Sequence, residues 1–329
     1  MWAFSFTFSP DDMRPILIPL PGRDKILLAL GAFIGLRFTL VTRDDPFYRG
    51  GPMRLAAVLL LFKEESFVEA CVRAIYPVVD SICVASQHDR NLVGAPVPPD
   101  RSLDALLATP DPGNKLRLVV ERDTTHLSGI NGEARLRNAA IALDPQADYY
   151  LIVDADEIWP LDVLQKCWAE VQRTQWAGYR VSSWTYFRRW NYRVVEPGHG
   201  YRPFVFLRRG FHFLDNRQIQ WHCPARWREY FRTGRKPKTV FFPPDLRLHH
   251  GSCVGDDERI LTKIRNYSHA DGVAPDWYDR VWKKFHPGLQ NFHYFVNGGH
   301  HFKSLVTIPT PQLPPEIRNA SWPEGWIEK

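Results

Sequence analysis

In this 329-residue chain the clearest chemistry lies in Asp154-Ala155-Asp156-Glu157. The run before it, Tyr149-Tyr150-Leu151-Ile152-Val153, has the apolar character of a buried strand. If the backbone stays extended, Asp154 and Asp156 project to one side. Converging carboxylates repel each other unless a cation or protons intervene. An oxygen-rich pair of this kind suits Mn2+ or Mg2+, which keep positions open for substrate phosphate. Most Asp-x-Asp sequences are solvated loops or helix caps, but an acidic triplet closing a buried strand is costly unless it is used. Asp154 and Asp156 are therefore the expected metal ligands, with Glu157 a third ligand or a partner of the ligands.

Histidine supplies the next candidates. His249 and His250 are adjacent, so in a strand they face opposite ways and at most one joins a cation. His222-Cys223 has no further Cys or His close by and reads as structural, and His300-His301 has no readable role. Cysteine chemistry is not indicated. Cys71, Cys83, Cys167, Cys223 and Cys253 are scattered with no CxxC pair, which argues against a zinc knuckle or a disulfide framework and fits reducing, cytoplasmic surroundings. There, Asn319-Ala320-Ser321 has no meaning as a glycosylation acceptor.

Composition narrows the partners. Forty-two basic against 36 acidic side chains leave a net charge of +6, mild and spread along the chain, which excludes a typical nucleic-acid binder. Such a balance still suits a phosphorylated donor or an anionic membrane surface. Hydrophobic residues at 44% are enough for a sizeable core, and most of the 12 Trp belong there, with a few left as platforms for sugar rings.

The elements that must position these residues begin at Met53. Leu55 to Phe62 reads as a strand buried on both faces. Ser66-Phe67-Val68-Glu69 reads as a capping box opening a helix that carries Phe67, Cys71 and Ile75 and stops at Pro77. Val78 to Ala85 and Leu116 to Val120 are further strands, with a Pro- and Gly-containing loop from Asn91 to Asp100 between them. Asn131 caps a second helix, Tyr149 to Val153 is the next strand, and Leu161 to Gln175 a third helix. This alternation predicts an α/β fold, a central mostly parallel sheet flanked by helices, with ligands beyond the carboxyl ends of its strands.

From Gly178 onward Arg and aromatic residues dominate, in knots such as Phe187-Arg188-Arg189-Trp190, Phe206-Leu207-Arg208-Arg209 and Ala225-Arg226-Trp227-Arg228. This half reads as later strands and an acceptor-facing surface for an extended or anionic acceptor. Asp256 caps a helix carrying Ile260, Ile264 and Tyr267, and another helix holds Tyr278, Val281, Trp282 and Phe285. The expected organisation is an extension over 1–52, a domain over 53–306 (donor half 53–160, acceptor half 161–306) and an extended Pro-rich tail over 307–329 that wraps the surface. In the extension, the apolar run from Ile26 to Leu36, continued by Phe38 to Val41, contains Arg37 and is awkward as a spanning helix or a signal peptide. A peripheral membrane-surface or docking helix is the expectation.

From Met53 to about Tyr267 the chain resembles the family-2 glycosyltransferases of the GT-A fold and their N-acetylglucosaminyltransferase-like relatives. Leu59-Leu60-Leu61-Phe62-Lys63-Glu64-Glu65 resembles the family's first strand and its donor-binding "K-N-E" end. Arg135-Leu136-Arg137-Asn138 resembles its "A-R-N" helix, and Asp154-Ala155-Asp156-Glu157 its DxD motif. His249-His250-Gly251, then Asp257-Glu258-Arg259-Ile260 and Lys263-Ile264, resemble "H-Y-G … E-R-I … K-I". One departure stands out: where the family has a base-reading Asp after the second strand, this chain has Val84-Ala85-Ser86-Gln87-His88-Asp89, so that contact is missing or moved to Asp89.

The resemblance implies transfer of a sugar from a nucleotide-diphosphate donor to a hydroxyl of a carbohydrate, lipid or protein acceptor, with inversion. It implies donor contacts from Lys63, Glu64, Glu65, Asp89, Arg137, Asn138 and Asp154, and a Mn2+ or Mg2+ ion on Asp154, Asp156 and His249. Asp215 and Glu229 are the candidates for the base that deprotonates the acceptor. One alternative is a sugar-1-phosphate nucleotidyltransferase, disfavoured because Phe62-Lys63-Glu64-Glu65 has no glycine for a phosphate loop. Too few His and Asp ligands speak against a metal-dependent phosphoesterase. A non-catalytic carbohydrate-binding relative is supported by the altered base-reading turn and opposed by the intact DxD.

Overall fold

The structure, a computed structural model, describes residues 52–87, 96–97, 100–121, 129–197, 200–215, 217–220, 226, 230, 234, 236–266, 270–295 and 302–328, and three strands nearer the N-terminus. Two compact units divide at Pro52 and Met53. In the first, β1 (Ile16–Pro19), β2 (Ile26–Leu30) and β3 (Arg37–Val41) form an antiparallel sheet in that order. The expected helix over 26–41 is thus replaced by two paired strands. Gly31 and Gly35 weaken a continuous helix through the apolar run, and the five-residue pieces on either side have strand length. Among the described residues no helix is long and apolar enough to cross a membrane.

The second unit is α/β. It opens with β4 (Leu55–Leu61), α1 (Val68–Ile75), β5 (Ser81–Gln87), α2 (Ser102–Ala108), β6 (Leu116–Glu121), α3 (Gly129–Ala142) and β7 (Tyr149–Asp154). After the short β8 (Glu157–Ile158) come α4 (Leu161–Thr174), β9 (Gly178–Arg180), β10 (Ser182–Val195), β11 (Phe204–Arg208), β12 (Phe213–Asp215) and β13 (Gln218–Ile219). The chain closes with β14 (Thr239–Phe241), β15 (Arg247–Val254), α5 (Asp257–Asn266), β16 (Ser304–Thr307) and α6 (Pro315–Arg318). Seven strands make the central sheet, in the order β6-β5-β4-β7-β11-β9-β14. The first four of these run parallel, and β11 is antiparallel to both its neighbours. A second sheet, β16-β10-β15-β8, stands beside it.

Both faces of the central sheet are covered, which is why its strands read as unbroken apolar runs. Leu55, Ala57, Leu59 and Leu61 of β4 pack with α1 and α4, while Ala56 and Val58 pack with α3. β7 divides the same way: Tyr149, Leu151 and Val153 face the first layer, Tyr150 and Ile152 the second. Trp159, Trp190, Trp277 and Trp282 are fully buried, as the core reading of most Trp expects.

Three local readings change. No capping box forms at Ser66, because the backbone is already helical at Phe67, and the amides of Phe67 and Val68 donate to the Glu64 carbonyl at 2.9 and 3.1 Å. α3 begins at Gly129, ahead of Asn131. The tail beyond Thr307 is part of the core: Ile308, Leu313, Ile317 and Trp326 are buried, and the Trp322 and Trp326 rings sit 5.3 and 5.2 Å from Phe67. Glu316 in that tail accepts the Leu161 amide at 2.9 Å, a carboxylate at the α4 N-terminus where the helix dipole favours it. Asp256 caps α5 as read, accepting the Arg259 amide at 2.9 Å.

Candidate active site

The carboxyl ends of β4 and β7 open on a cleft of about 240 Å3 that takes Lys63 and Glu64 from the one and Asp154, Ala155 and Asp156 from the other. Parallel register sets Leu60 opposite Asp154, which brings the two ends level. α3 adds Arg137 and Glu133, β15 adds His250 and Ser252, and α5 adds Lys263.

β7 ends at Asp154 and a turn follows, so the two aspartates meet different partners. Asp154 lies in alternation with Tyr150 and Ile152, on the α3 side of the sheet. There its Oδ1 meets Arg137 at 2.9 Å, and its Oδ2 meets Arg217 at 2.8 Å. Burial raises the Asp154 carboxyl, and the two guanidiniums outweigh it, so its pKa is lowered. Arg217 also reaches Glu157 at 3.0 Å, and the Asp154 amide donates to the same Glu157 oxygen at 3.1 Å. Glu157 is fully buried, and burial pushes its pKa up to about 7 against the pull of Arg217.

Asp156 faces α5. Its carboxylate is bonded by the Lys263 ammonium, with Arg259 at 3.8 Å and the His250 Nε2 at 3.7 Å. Burial raises this carboxyl too, but Lys263, His250 and Arg259 hold it well below the usual range. Glu64 completes the cluster, 2.7 Å from Arg259 and 3.3 Å from Lys263. The Gly251 amide donates to the Asp156 carbonyl at 2.8 Å, docking β15 on the turn. Only glycine permits that approach, since a Cβ at 251 would lie 2.6 Å from Phe67 and 2.8 Å from Trp190.

The histidines exchange the places expected of them. His249 is turned away from the acidic turn: its Nδ1 shares a 2.7 Å hydrogen bond with the Tyr186 hydroxyl, and its ring stacks on Tyr186. His250 lines the cleft instead. Strand alternation lets only one of them reach Asp156, and the side β15 turns to β8 decides which. Burial lowers the pKa of His250 to about 4 despite Asp156, so the imidazole is neutral near pH 7, and its Nδ1 is buried without a hydrogen-bond partner.

Of the other predicted site residues, Lys63, Glu64 and Arg137 line the cleft with Asp154. Glu65 does not; it borders a separate depression beside α1 with Glu69 and Trp322. Asn138 does not either. Its amide donates to the Phe213 carbonyl at 2.8 Å and accepts the Phe213 amide at 3.0 Å, which fastens α3 to β12. Asp215 sits on β12 and is absent from the cleft lining. Asp89, Glu229 and His222-Cys223 lie outside the described residues. Sequence reading missed Arg217 and Tyr201, which come from loops with no local pattern and enter the site only through the packing of β11 to β13. Lys263 and Arg259 were visible in the resemblance, without a role.

Asp154 and Asp156 with a neutral imidazole are the donor types that Mn2+ or Mg2+ takes. The unbonded, buried Nδ1 of His250 agrees with a site built for a further partner. Among the described residues, however, no group of three or more such donors stands ready at ligating spacing. The Lys263 ammonium holds the position on Asp156 that a cation would take.

No protein-family model matches this chain, and no curated protein matches it. Partial likenesses exist among solved structures. S. aureus TarS, as its 1-349 fragment, is 14% identical over 65% of this chain and 55% of that chain, with a TM-score of 0.33. The same fragment in complex with UDP-GlcNAc is 16% identical over 40% and 35%, with a TM-score of 0.30. Glucosyl-3-phosphoglycerate synthase from Mycobacterium tuberculosis, in complex with Mn2+ and UDP-glucose, is 17% identical over 40% and 44%, with a TM-score of 0.27. The matched part is thus well under two thirds of each of those chains.

Proposed function

We propose that the chain is a glycosyltransferase of the GT-A type that moves a sugar from a nucleotide-diphosphate donor to an acceptor hydroxyl, with inversion. The observation that carries this reading is the cleft at the strand ends, where the Asp-Ala-Asp-Glu turn is buried against Arg137, Arg217, Arg259 and Lys263. Such a set of fixed cations beside carboxylates suits a diphosphate whose charge grows as it leaves. The motif order from Lys63 to Lys263 supports the same assignment.

In the reaction the acceptor oxygen attacks the anomeric carbon, its proton passes to a general base, and the bond from that carbon to the diphosphate oxygen breaks. Arg137 and Arg217 hold Asp154 in place, and Lys263 and Arg259 flank the leaving group. Asp154, Asp156 and His250 would hold Mn2+ or Mg2+, which when bound supplies Lewis-acid stabilisation of the leaving diphosphate.

A thermal-shift series against nucleotide sugars, with and without Mn2+, tests the reading. One nucleotide-sugar class is expected to raise the Tm by several degrees, as saturating a specific site does, and turnover of it to release the nucleoside diphosphate. Pyrophosphate release would assign a nucleotidyltransferase instead. If no nucleotide or nucleotide sugar stabilises the protein, the donor site is wrong. EDTA is expected to abolish turnover and Mn2+ to restore it; full activity after thorough chelation removes the metal from the mechanism.

A further inference from the structure

A second charged cluster lies where the first strands of the acceptor half end, apart from the acidic turn. Arg180 closes β9, and parallel register sets it opposite Phe241 at the end of β14. Arg247 opens β15, opposite Ser182 of β10. The centre of the cluster is Trp184. Arg193 lies 4.0 Å from its ring centroid and Arg247 3.9 Å, so two guanidiniums stack on one indole. Arg202 stands 4.9 Å over the Phe241 ring and receives the Arg180 Nη1 donor on its carbonyl at 2.9 Å.

Charge here is unbalanced. Among the described residues Arg180, Arg193 and Arg202 form no ion pair, and the Arg202 Nε is buried without a hydrogen-bond partner. Glu196 is the carboxyl set beside Arg247, and it is occupied by the Thr185 hydroxyl at 3.1 Å. Burial lowers the pKa of Arg247 and the neighbouring Arg193 lowers it further, the mark of cations crowded together. Trp stacking fixes the orientation of these guanidiniums, and guanidinium forks match the geometry of phosphate and carboxylate. Alternation along β15 puts Arg247 on the side of His249, and Arg193 is near enough to lower the His249 pKa further, so the cluster lies on the face of the second sheet turned away from the acidic turn.

We propose that the arginines around Trp184 form an anion site, separate from the cleft, that binds a ligand carrying a phosphate or carboxylate group. This site does not rest on the reading of the cleft as a donor site.

Calorimetric titration of the full chain at low salt tests it, with glycerol 3-phosphate as the phosphate probe, glucuronate as the carboxylate probe, glycerol and glucose as neutral controls, and UDP as the probe of the cleft. One or both anions are expected to bind, the neutral probes not, and affinity to fall as salt rises. Which anion binds more tightly tells phosphate from carboxylate. Arg193→Gln is expected to weaken the anion at least about tenfold while leaving UDP within about twofold. Arg247→Lys keeps the charge but loses the stacked fork, and is expected to weaken the anion by a smaller factor. Circular dichroism of each variant checks the fold. Absence of anion binding, or binding that saturating UDP abolishes and Arg193→Gln leaves unchanged, overturns the proposal while the donor reading stands. Anion binding that depends on Arg193 in a protein that ignores UDP supports the anion site and overturns the donor reading.

Discussion

His249 and His250 differ by one position and by everything that follows from it. Both imidazoles are kept neutral by burial, His249 to a pKa of about 3 and His250 to about 4. One neutral ring is bonded to Tyr186 in the core; the other faces Asp156 across the cleft. His250→Ala is therefore expected to lower kcat/KM at least about tenfold, in the range seen when a group beside a metal or leaving group is removed. His249→Ala is expected to cost roughly 1–3 kcal/mol of stability through the orphaned Tyr186 hydroxyl and the lost packing, with kcat/KM within about threefold. Denaturant unfolding and steady-state kinetics on both variants separate the two, and a reversed pattern would put His249 in the site after all.

At the level of elements, each functional side chain is placed by one decision of the fold. The end of β7 sets Asp154, α3 carries Arg137 to it, and α5 aims Arg259 and Lys263 at Asp156. α4, which follows the acidic turn, is held at its N-terminus by Glu316 and flanked by a tail whose Ile317 is fully buried. That tail is thus a structural element of the domain. Ile317→Ala is expected to destabilise by about 2–5 kcal/mol, the range for an aliphatic side chain cut from a packed core. Urea unfolding measures it, and a loss below about 1 kcal/mol would mean that the tail only covers the surface.

Across the molecule, buried carboxyls divide into two kinds with opposite pH consequences. Burial raises the Asp144 carboxyl, but the Ser81 hydroxyl, Arg117 and Arg54 outweigh it and lower its pKa. Its contribution is present above the ordinary aspartate range and is lost as pH falls through the depressed value. Glu196 is the reverse: burial lifts it to about 7, against the Thr185 hydrogen bond, the Tyr201 amide and Arg247. The folded state then holds a proton that the unfolded state has released, so stability drains away as pH rises from about 4.5 to about 7. Glu196→Gln removes that loss. Its Tm relative to the native protein is expected to climb between pH 5 and pH 8, and a difference that stays flat with pH would show Glu196 to be ionised in the folded state.

The strands and the acidic turn were legible in the chain because a sheet buried on both faces demands continuous apolar runs, and a charged triplet can follow such a run only where it opens on solvent or a ligand. Asp154 and Asp156 could be picked out for that reason, while Lys63 and Arg137 were named only through the family resemblance. Contacts between distant segments left no such trace. Arg217 meets Asp154 only because β11 to β13 fold back over α3, and the tail from Ile308 to Trp326 looked like a surface strap because its buried residues are spaced by prolines and not by any period. Alternation along β15 said that one histidine of the pair faces the site; the docking of Gly251 on the Asp156 turn, set by Phe67 and Trp190, decided that it is His250. Local pattern determines which faces are apolar, and tertiary packing alone determines which polar groups those faces bring together.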